Sequence, residues 1–449
     1  MLLRLRASGF KNLHDLDVRF GPFTCVFGEN GVGKSNLFDA IRFLHLLAEH
    51  PIPEAVARLR ETSNRRLSVG ALFTAFGDYR AREMRFDAEM LLDPNVVDDF
   101  GATASASISS VRYTIAFRAD PDAPGGMVLA HESLLPISVN DARRDLGFEA
   151  RSAFKTSAVS GRRPTPFMTT QDGVVQIHQE GHQGRKRPIA LGKSPRAVIQ
   201  SADAEFPTLL AARRELQSWR ALMLEPTAMR GPSDYAGPRH IDERGAHLAG
   251  ALKRLADQRG VAAWRAVENR LAQLLPDVRG LRVDDDARTE TYTVEVRGPD
   301  GVFHSARALS DGTLRFLVLA TLLEDPEAKG TLCLEEPENG IHPDRIEAIV
   351  RLLRDVAVDP SEAVSADNPL RQIIVNTHSP LVFHNVSKDD AVFLESVDIS
   401  IDGYRGRVAQ IGVPEGSWRS RMEPRPSVVA PGRVERWEQM NFDFHDAAE

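Results

Sequence analysis

The stretch Gly28-Glu29-Asn30-Gly31-Val32-Gly33-Lys34-Ser35 follows a short apolar run at 24–27 and precedes a segment, 36–49, with apolar residues at Leu37, Ile41, Leu44 and Leu47. That spacing predicts a helix packed on one face, and the run before it predicts a buried strand. Strand, glycine loop and helix in that order are the context in which this pattern cradles phosphate. The glycines turn backbone N–H groups toward phosphate oxygens, and the helix start adds positive potential. Lys34 reaches the outer phosphates, and the Ser35 hydroxyl ligates magnesium. The expected fold class is α/β.

Three more stretches carry chemistry. Residues 331–339 form an apolar strand that ends in Glu335, Glu336, Pro337, Glu338 and Asn339. One acid at such an exit can hold a magnesium shell while its neighbour polarises a water. By itself a charged strand exit serves a surface as readily as a site; beside a full phosphate loop it points to nucleotide. Residues 309–315, with Ser310, Asp311 and Gly312, read as a helix start that offers a hydroxyl and free N–H groups to an anion. Taken alone, they read as a simple capped helix. Residues 371–380 form another strand, ending in Asn376, Thr377, His378, Ser379 and Pro380. A histidine there either bonds a γ-phosphate or its attacking water, or serves structure.

In this order the four elements resemble the ABC ATPase superfamily, as Walker A, signature, Walker B with D-loop, and histidine switch. Their wording is similar to the RecF, structural-maintenance-of-chromosomes and overcoming-lysogenization-defect group, from the Gly9-Phe10-Lys11-Asn12 opening to the Asn-Thr-His-Ser-Pro ending. The resemblance covers residues 1–50 and 300–395. It implies an ABC-type P-loop head with a mixed central sheet, plus an inserted antiparallel-sheet and helical lid region. It also implies ATP contacts from Lys11, Asn12, Asn30, Gly31, Gly33, Lys34, Ser35 and Asn36. Ser35 and Glu335 would hold Mg2+, Glu336 would be the catalytic base and His378 the switch. Ser310, Asp311 and Gly312 would contact the γ-phosphate of ATP bound to a second copy, with 339–342 at the seam. Three departures stand out. Glu335 replaces the usual aspartate, Asp311 stands where transporters carry glycine, and no Q-loop glutamine stands out in 51–130.

The remainder bounds the function. The chain has 449 residues, 42% of them hydrophobic and 27% charged, which is ordinary for a globular protein. A net charge of -7 argues against an overall basic coat for nucleic acid, though a local patch is compatible with it. Apolar runs such as 316–323 fall far short of the roughly 20 residues that span a bilayer, so a cytoplasmic protein without a membrane partner is expected. Cys25 and Cys333 sit in apolar runs and read as small core residues in a reducing compartment. His178 and His182 lack partners at metal-ligand spacing.

The expected division is a Walker A part of the head at 1–50, an antiparallel sheet region at 51–135 and an inserted loop, helical and strand region at 136–300. The rest of the head follows at 301–400, then an irregular tail at 401–449. The basic stretch Gly181-His-Gln-Gly-Arg-Lys-Arg-Pro reads as a solvated loop, or else as a phosphate patch. Helices are expected at 208–224 and 247–275, and no heptad pattern supports a long coiled coil.

The 276 positions between Lys34 and Ser310 are too many for a compact transporter motor. No carboxylate cluster after His378 suggests a fused nuclease. The resemblance therefore implies an ATPase that dimerises, or forms a higher oligomer, around ATP. It would act as a sensor or switch in DNA maintenance or anti-phage defence, with a separate nuclease or toxin as effector and DNA as a possible ligand. The alternative is a slow ATPase scaffold that holds an effector inactive.

Overall fold

The computed structural model describes residues 1–61, 71–123, 126–180, 186–191, 194–429, 432 and 434. At its centre lies a seven-stranded sheet in the order Arg220–Leu222, Gly330–Glu335, Arg371–Thr377, Phe23–Phe27, Ala391–Ile401, Tyr404–Val413, Ser427–Val428. The first five strands are parallel, and Tyr404–Val413 returns antiparallel, so the sheet is mixed. Every residue of Phe23–Phe27 and Arg371–Thr377 is buried, as expected of a parallel sheet covered on both faces. Alternate residues go to opposite faces. Val26, Cys333 and Ile374 pack with the helix Lys34–Glu49; Cys25, Phe27, Leu332, Ile373 and Val375 pack with Asp311–Glu324 and Ile346–Val356. Both cysteines are free and buried.

The second sheet is antiparallel and eight-stranded, from Lys186–Ala190 through Val174–His178, Met168–Gln171, Met127–Pro136, Ser110–Ala119, Glu83–Leu91 and Leu2–Ser8 to Leu16–Arg19. Its inner face covers the other side of Lys34–Glu49. There the Phe43 ring lies 6.0 Å from Phe10, 5.9 Å from Phe86 and 5.8 Å from Phe117. The helix that follows the glycine loop is thus gripped between two sheets. Gln372, fully buried, ties the sheets together. Its amide donates to Leu2 O and Gly21 O, each at 2.8 Å, and its Oε1 accepts from Leu2 N at 3.0 Å and Thr331 Oγ1 at 2.8 Å. A buried amide satisfied on both ends stabilises its register, because any slip would orphan several groups at once. A separate four-stranded sheet carries Ser233–Asp234, Thr291–Arg297, Gly280–Asp286 and Phe303–Ser305 beside the helix Leu248–Leu274. Among the described residues no helix is long and apolar enough to cross a membrane.

Several stretches differ from the sequence-based expectation. The 208–224 helix ends at Gln217, and Arg220–Leu222 is instead the parallel edge strand beside Gly330–Glu335, since pairing with the central sheet outweighs local periodicity. The helix over 247–275 breaks at Gly260 (φ 67, ψ -160). Residues 136–190, within the region expected to mix loops, helices and strands, hold two short helices and add three strands to the antiparallel sheet. Of the basic stretch, 181–185 lie outside the described residues and Lys186–Ala190 is a strand. The tail expected to be irregular from 401 supplies two strands of the central sheet and buries Trp418 and Arg419. The Arg419 guanidinium donates to Arg19 O at 2.8 Å and Thr24 Oγ1 at 2.9 Å, and burial pulls it down to about 9.

Within the antiparallel sheet Glu132 is wholly buried. It accepts from Tyr113 Oη at 2.9 Å, Val198 N at 2.6 Å and Ile199 N at 2.9 Å. Burial pushes its carboxyl up to about 7 from 4.5, although these three bonds oppose the rise. The folded state therefore binds this proton more tightly than the unfolded state. Its stabilising contribution is complete below about pH 4.5 and is lost as pH rises through about 7. The two N–H donors bond different oxygens of Glu132, so Glu132→Gln sets its NH2 against one of them and should cost about 1–3 kcal/mol. In thermal melts the deficit of the variant should narrow between about pH 5 and about pH 8; a deficit constant with pH would contradict this placement of the proton.

Candidate functional site

Four parallel strands, Arg220–Leu222, Gly330–Glu335, Arg371–Thr377 and Phe23–Phe27, end at the same edge of the central sheet. In open α/β sheets ligands bind outside the carboxyl ends of the strands. Here that edge collects the loop at 28–33, the acids 335–336 and the 376–378 segment. A cleft of about 210 Å³ is lined by Asn30, Gly31, Gly33, Lys34, Ser35, Asn36, Glu335, Glu336 and Asn376.

The loop takes its shape from its glycines. Gly31 and Gly33 have φ of 81° and 114°, and a Cβ on Gly33 would lie 2.5 Å from the Asn12 amide. Gly33 is the N-cap of Lys34–Glu49 and offers no side-chain cap, so the first N–H groups of the helix remain directed at the cleft. Lys34 is 7% exposed and donates to Gly28 O at 2.5 Å and Glu29 O at 2.9 Å. Burial lowers its affinity for the proton, while Glu336, Glu338, Glu335 and Glu29 act the other way.

Glu335 ends its strand within hydrogen-bond reach of Ser35 and Asn376. Burial raises its carboxyl above the ordinary range, helped by Asp39 and Glu336, and those two hydrogen bonds hold it back. A hydroxyl and a crowded carboxylate side by side fit a divalent cation, which would relieve the like-charge repulsion. Among the described residues no group of three or more His, Cys, Asp or Glu forms a metal cage. One or two protein ligands suit magnesium, which otherwise keeps water and phosphate oxygens.

Both oxygens of Glu336 are held. Oε1 meets His378 Nδ1 at 2.6 Å, and Oε2 accepts from Asn339 Nδ2 at 2.7 Å. Its backbone sits at φ 42° and donates to Asn376 O at 3.0 Å and Asn376 Oδ1 at 3.2 Å. Glu338 turns inward instead. It is 7% exposed, accepts from the Thr377 hydroxyl, and is raised by burial.

The structure thus brings Asn30, Gly31, Gly33, Lys34, Ser35, Asn36, Glu335 and Glu336 into one cleft, with His378 bonded to Glu336. Lys11 and Asn12, expected to touch nucleotide, do not line it. Lys11 pairs with Asp39, and Asn12 donates to Val32 O at 2.9 Å and accepts from Asn36 at 2.8 Å, so both brace the loop and its helix from behind. Ser310, Asp311 and Gly312 are also outside the cleft. Ser310 caps Asp311–Glu324 by accepting from Thr313 N at 3.2 Å, and a Cβ on Gly312 would lie 3.0 Å from Gly340 O. Asn376 is the lining residue that sequence reasoning left without a role; its place immediately before the His378 turn was the available signal.

The fold and the cleft have the form of a P-loop head of the ABC type. Residues 174–383 match a family described as an AAA domain, putative AbiEii toxin, Type IV TA system, and residues 4–46 match a second AAA domain family. The chain is similar to a DNA replication and repair protein RecF of Lactobacillus delbrueckii subsp. bulgaricus, with 36% identity over 95 residues, 20% of this chain and 22% of that protein. It is also similar to a RecF of Parabacteroides distasonis, with 41% identity over 51 residues, 11% of this chain and 14% of that protein. The chain therefore spans about a fifth or less of the length of the relatives it matches. Among solved structures, a SmcHead bound to the C-winged helix domain of ScpA superposes with a TM-score of 0.51 at 15% identity, over 91% of this chain and 97% of that one. In fold and motif order the chain resembles the RecF/SMC-like group of ABC-type ATPases.

Alanine at Gly33 would meet the Asn12 amide and strain a left-handed backbone by about 1–3 kcal/mol. Gly33→Ala should therefore abolish binding of a fluorescent ATP analogue while the chain stays folded by circular dichroism; undiminished binding would show that this turn is not what shapes the loop.

Proposed function

We propose that this protein binds and hydrolyses ATP with Mg2+, closes as a dimer of like chains around the nucleotide, and acts as a switch for a separate effector in DNA maintenance or phage defence. The observation that carries the reading is the single cleft uniting the glycine loop, Lys34, Ser35, Glu335 and the His378-bound Glu336. In this reading the loop N–H groups and Lys34 bind the β- and γ-phosphates, Lys34 giving up its bonds to Gly28 O and Glu29 O. Ser35 and Glu335 would hold the cation, which would supply positive charge to the phosphate oxygens. A water attacks the γ-phosphorus, its proton passes to Glu336, and the bond to ADP breaks. His378 and Asn339 orient Glu336 toward that water.

The exposed N-terminus of the 311–324 helix, capped by Ser310, lies outside the chain's own cleft. A second copy would bring it to the γ-phosphate, where positioned dipoles supply much of the rate in phosphoryl transfer. A lone chain would accordingly be a feeble ATPase. The similarity to proteins named for DNA replication and repair supports a role in DNA maintenance, and the family description that mentions a toxin supports the pairing with an effector.

Turnover per chain should rise with protein concentration until dimers form. Glu336→Gln should lower kcat by about 10²–10⁴-fold, the range for losing a general base, while nucleotide binding persists. Phosphate release and equilibrium ATP binding measure the two separately; a variant that keeps its turnover would remove Glu336 from the chemistry.

A further inference from the structure

The Asp311 carboxylate poses an electrostatic problem for the reading above. An acidic residue in the first turn favours the helix itself, because it faces the positive end of the macrodipole. The same carboxylate repels any anion that the helix N-terminus is meant to receive. In this chain it does not stand alone. Arg230, which closes the short helix Pro226–Met229, sends Nη2 to Asp311 Oδ1 at 2.5 Å and to Leu309 O at 2.9 Å. One guanidinium nitrogen therefore grips the residues on both sides of Ser310. The Arg230 and Asp311 side chains are 27% and 47% exposed, and an ion pair that open to solvent adds little to global stability. Its value is local.

We propose that Arg230 is a positioning residue for the signature: it neutralises Asp311 and holds that carboxylate aside, so that Ser310 and the N–H groups behind it can receive the γ-phosphate of ATP bound by the other copy. The inference rests on the two-copy reading and adds to it a residue outside all four motifs. The segment that bears Arg230 continues the strand Arg220–Leu222, whose Leu222 pairs with Leu334 directly before Glu335. The same few residues thus run from the cation side of one cleft to the signature lent to the other.

The test is a cycle of variants read by ATP hydrolysis. Arg230→Gln removes the charge while keeping a polar side chain, and it guards against a folding failure of Arg230→Ala. It should lower hydrolysis about tenfold in the native background and less than about twofold when Asp311→Asn is already present, which is the signature of direct coupling. An equal loss in both backgrounds, or no loss in either, overturns the proposal. Mixed chains assign the side of the defect. Lys34→Ala and Ser310→Arg, each folded and inactive alone, should recover hydrolysis when mixed, because one composite site is then intact. If they do not, the two-copy reading fails. If they do, Arg230→Gln should be rescued by Lys34→Ala and not by Ser310→Arg. Rescue by Ser310→Arg would overturn the role of Arg230 and leave the two-copy reading standing.

Discussion

The site depends on one pairing, that of Phe23–Phe27 with Arg371–Thr377. In parallel register, Phe23 faces Ile373 and Phe27 faces Thr377, so the glycine loop that follows Phe27 opens beside the turn that carries His378. About three quarters of the chain lies between these two strands. Closing so long a loop costs only slowly growing entropy, which burial of both sheet faces and the satisfied amide of Gln372 can offset. The next pairing, between Arg371–Thr377 and Gly330–Glu335, then sets Glu335 opposite Asn376. Loop, acids and histidine meet because three strand ends meet.

At that edge the chain accepts local costs. Glu336 adopts a left-handed backbone, a conformation that costs a non-glycine residue about 1–3 kcal/mol, and Asn376 compensates by accepting from its N–H. Glu335, Glu336, Glu338 and Asp39 crowd a half-buried space with Lys34 as the nearby cation. Such crowding is unfavourable for an empty protein and suits a site that receives a nucleotide with its cation.

The glycine loop, the paired glutamates and the His378 turn were legible because each couples a buried run to polar residues at its end, and that pattern is local. What the sequence concealed was set by distant partners. Arg220–Leu222 follows a helix after only two residues, Ser218 and Trp219, and becomes a strand because Gly330–Glu335 lies alongside it. Lys11 and Asn12 sit where a nucleotide contact is plausible, yet Asp39, Val32 and Asn36 claim their side chains. Arg230 lies in no motif; only the fold brings it to Asp311. One omission had a local remedy. Asp402-Gly403, both at positive φ, is a tight hairpin signal between alternating segments, and it places Tyr404–Val413 in the sheet rather than in an irregular tail.

The central claim is that one chain completes another's site around ATP. It is tested most directly by the mass in solution of Glu336→Gln, which should bind ATP without consuming it, with and without ATP and magnesium. The account predicts a shift from one chain of 49.6 kDa to twice that mass on adding nucleotide. A mass that stays at one chain while ATP is bound would contradict it.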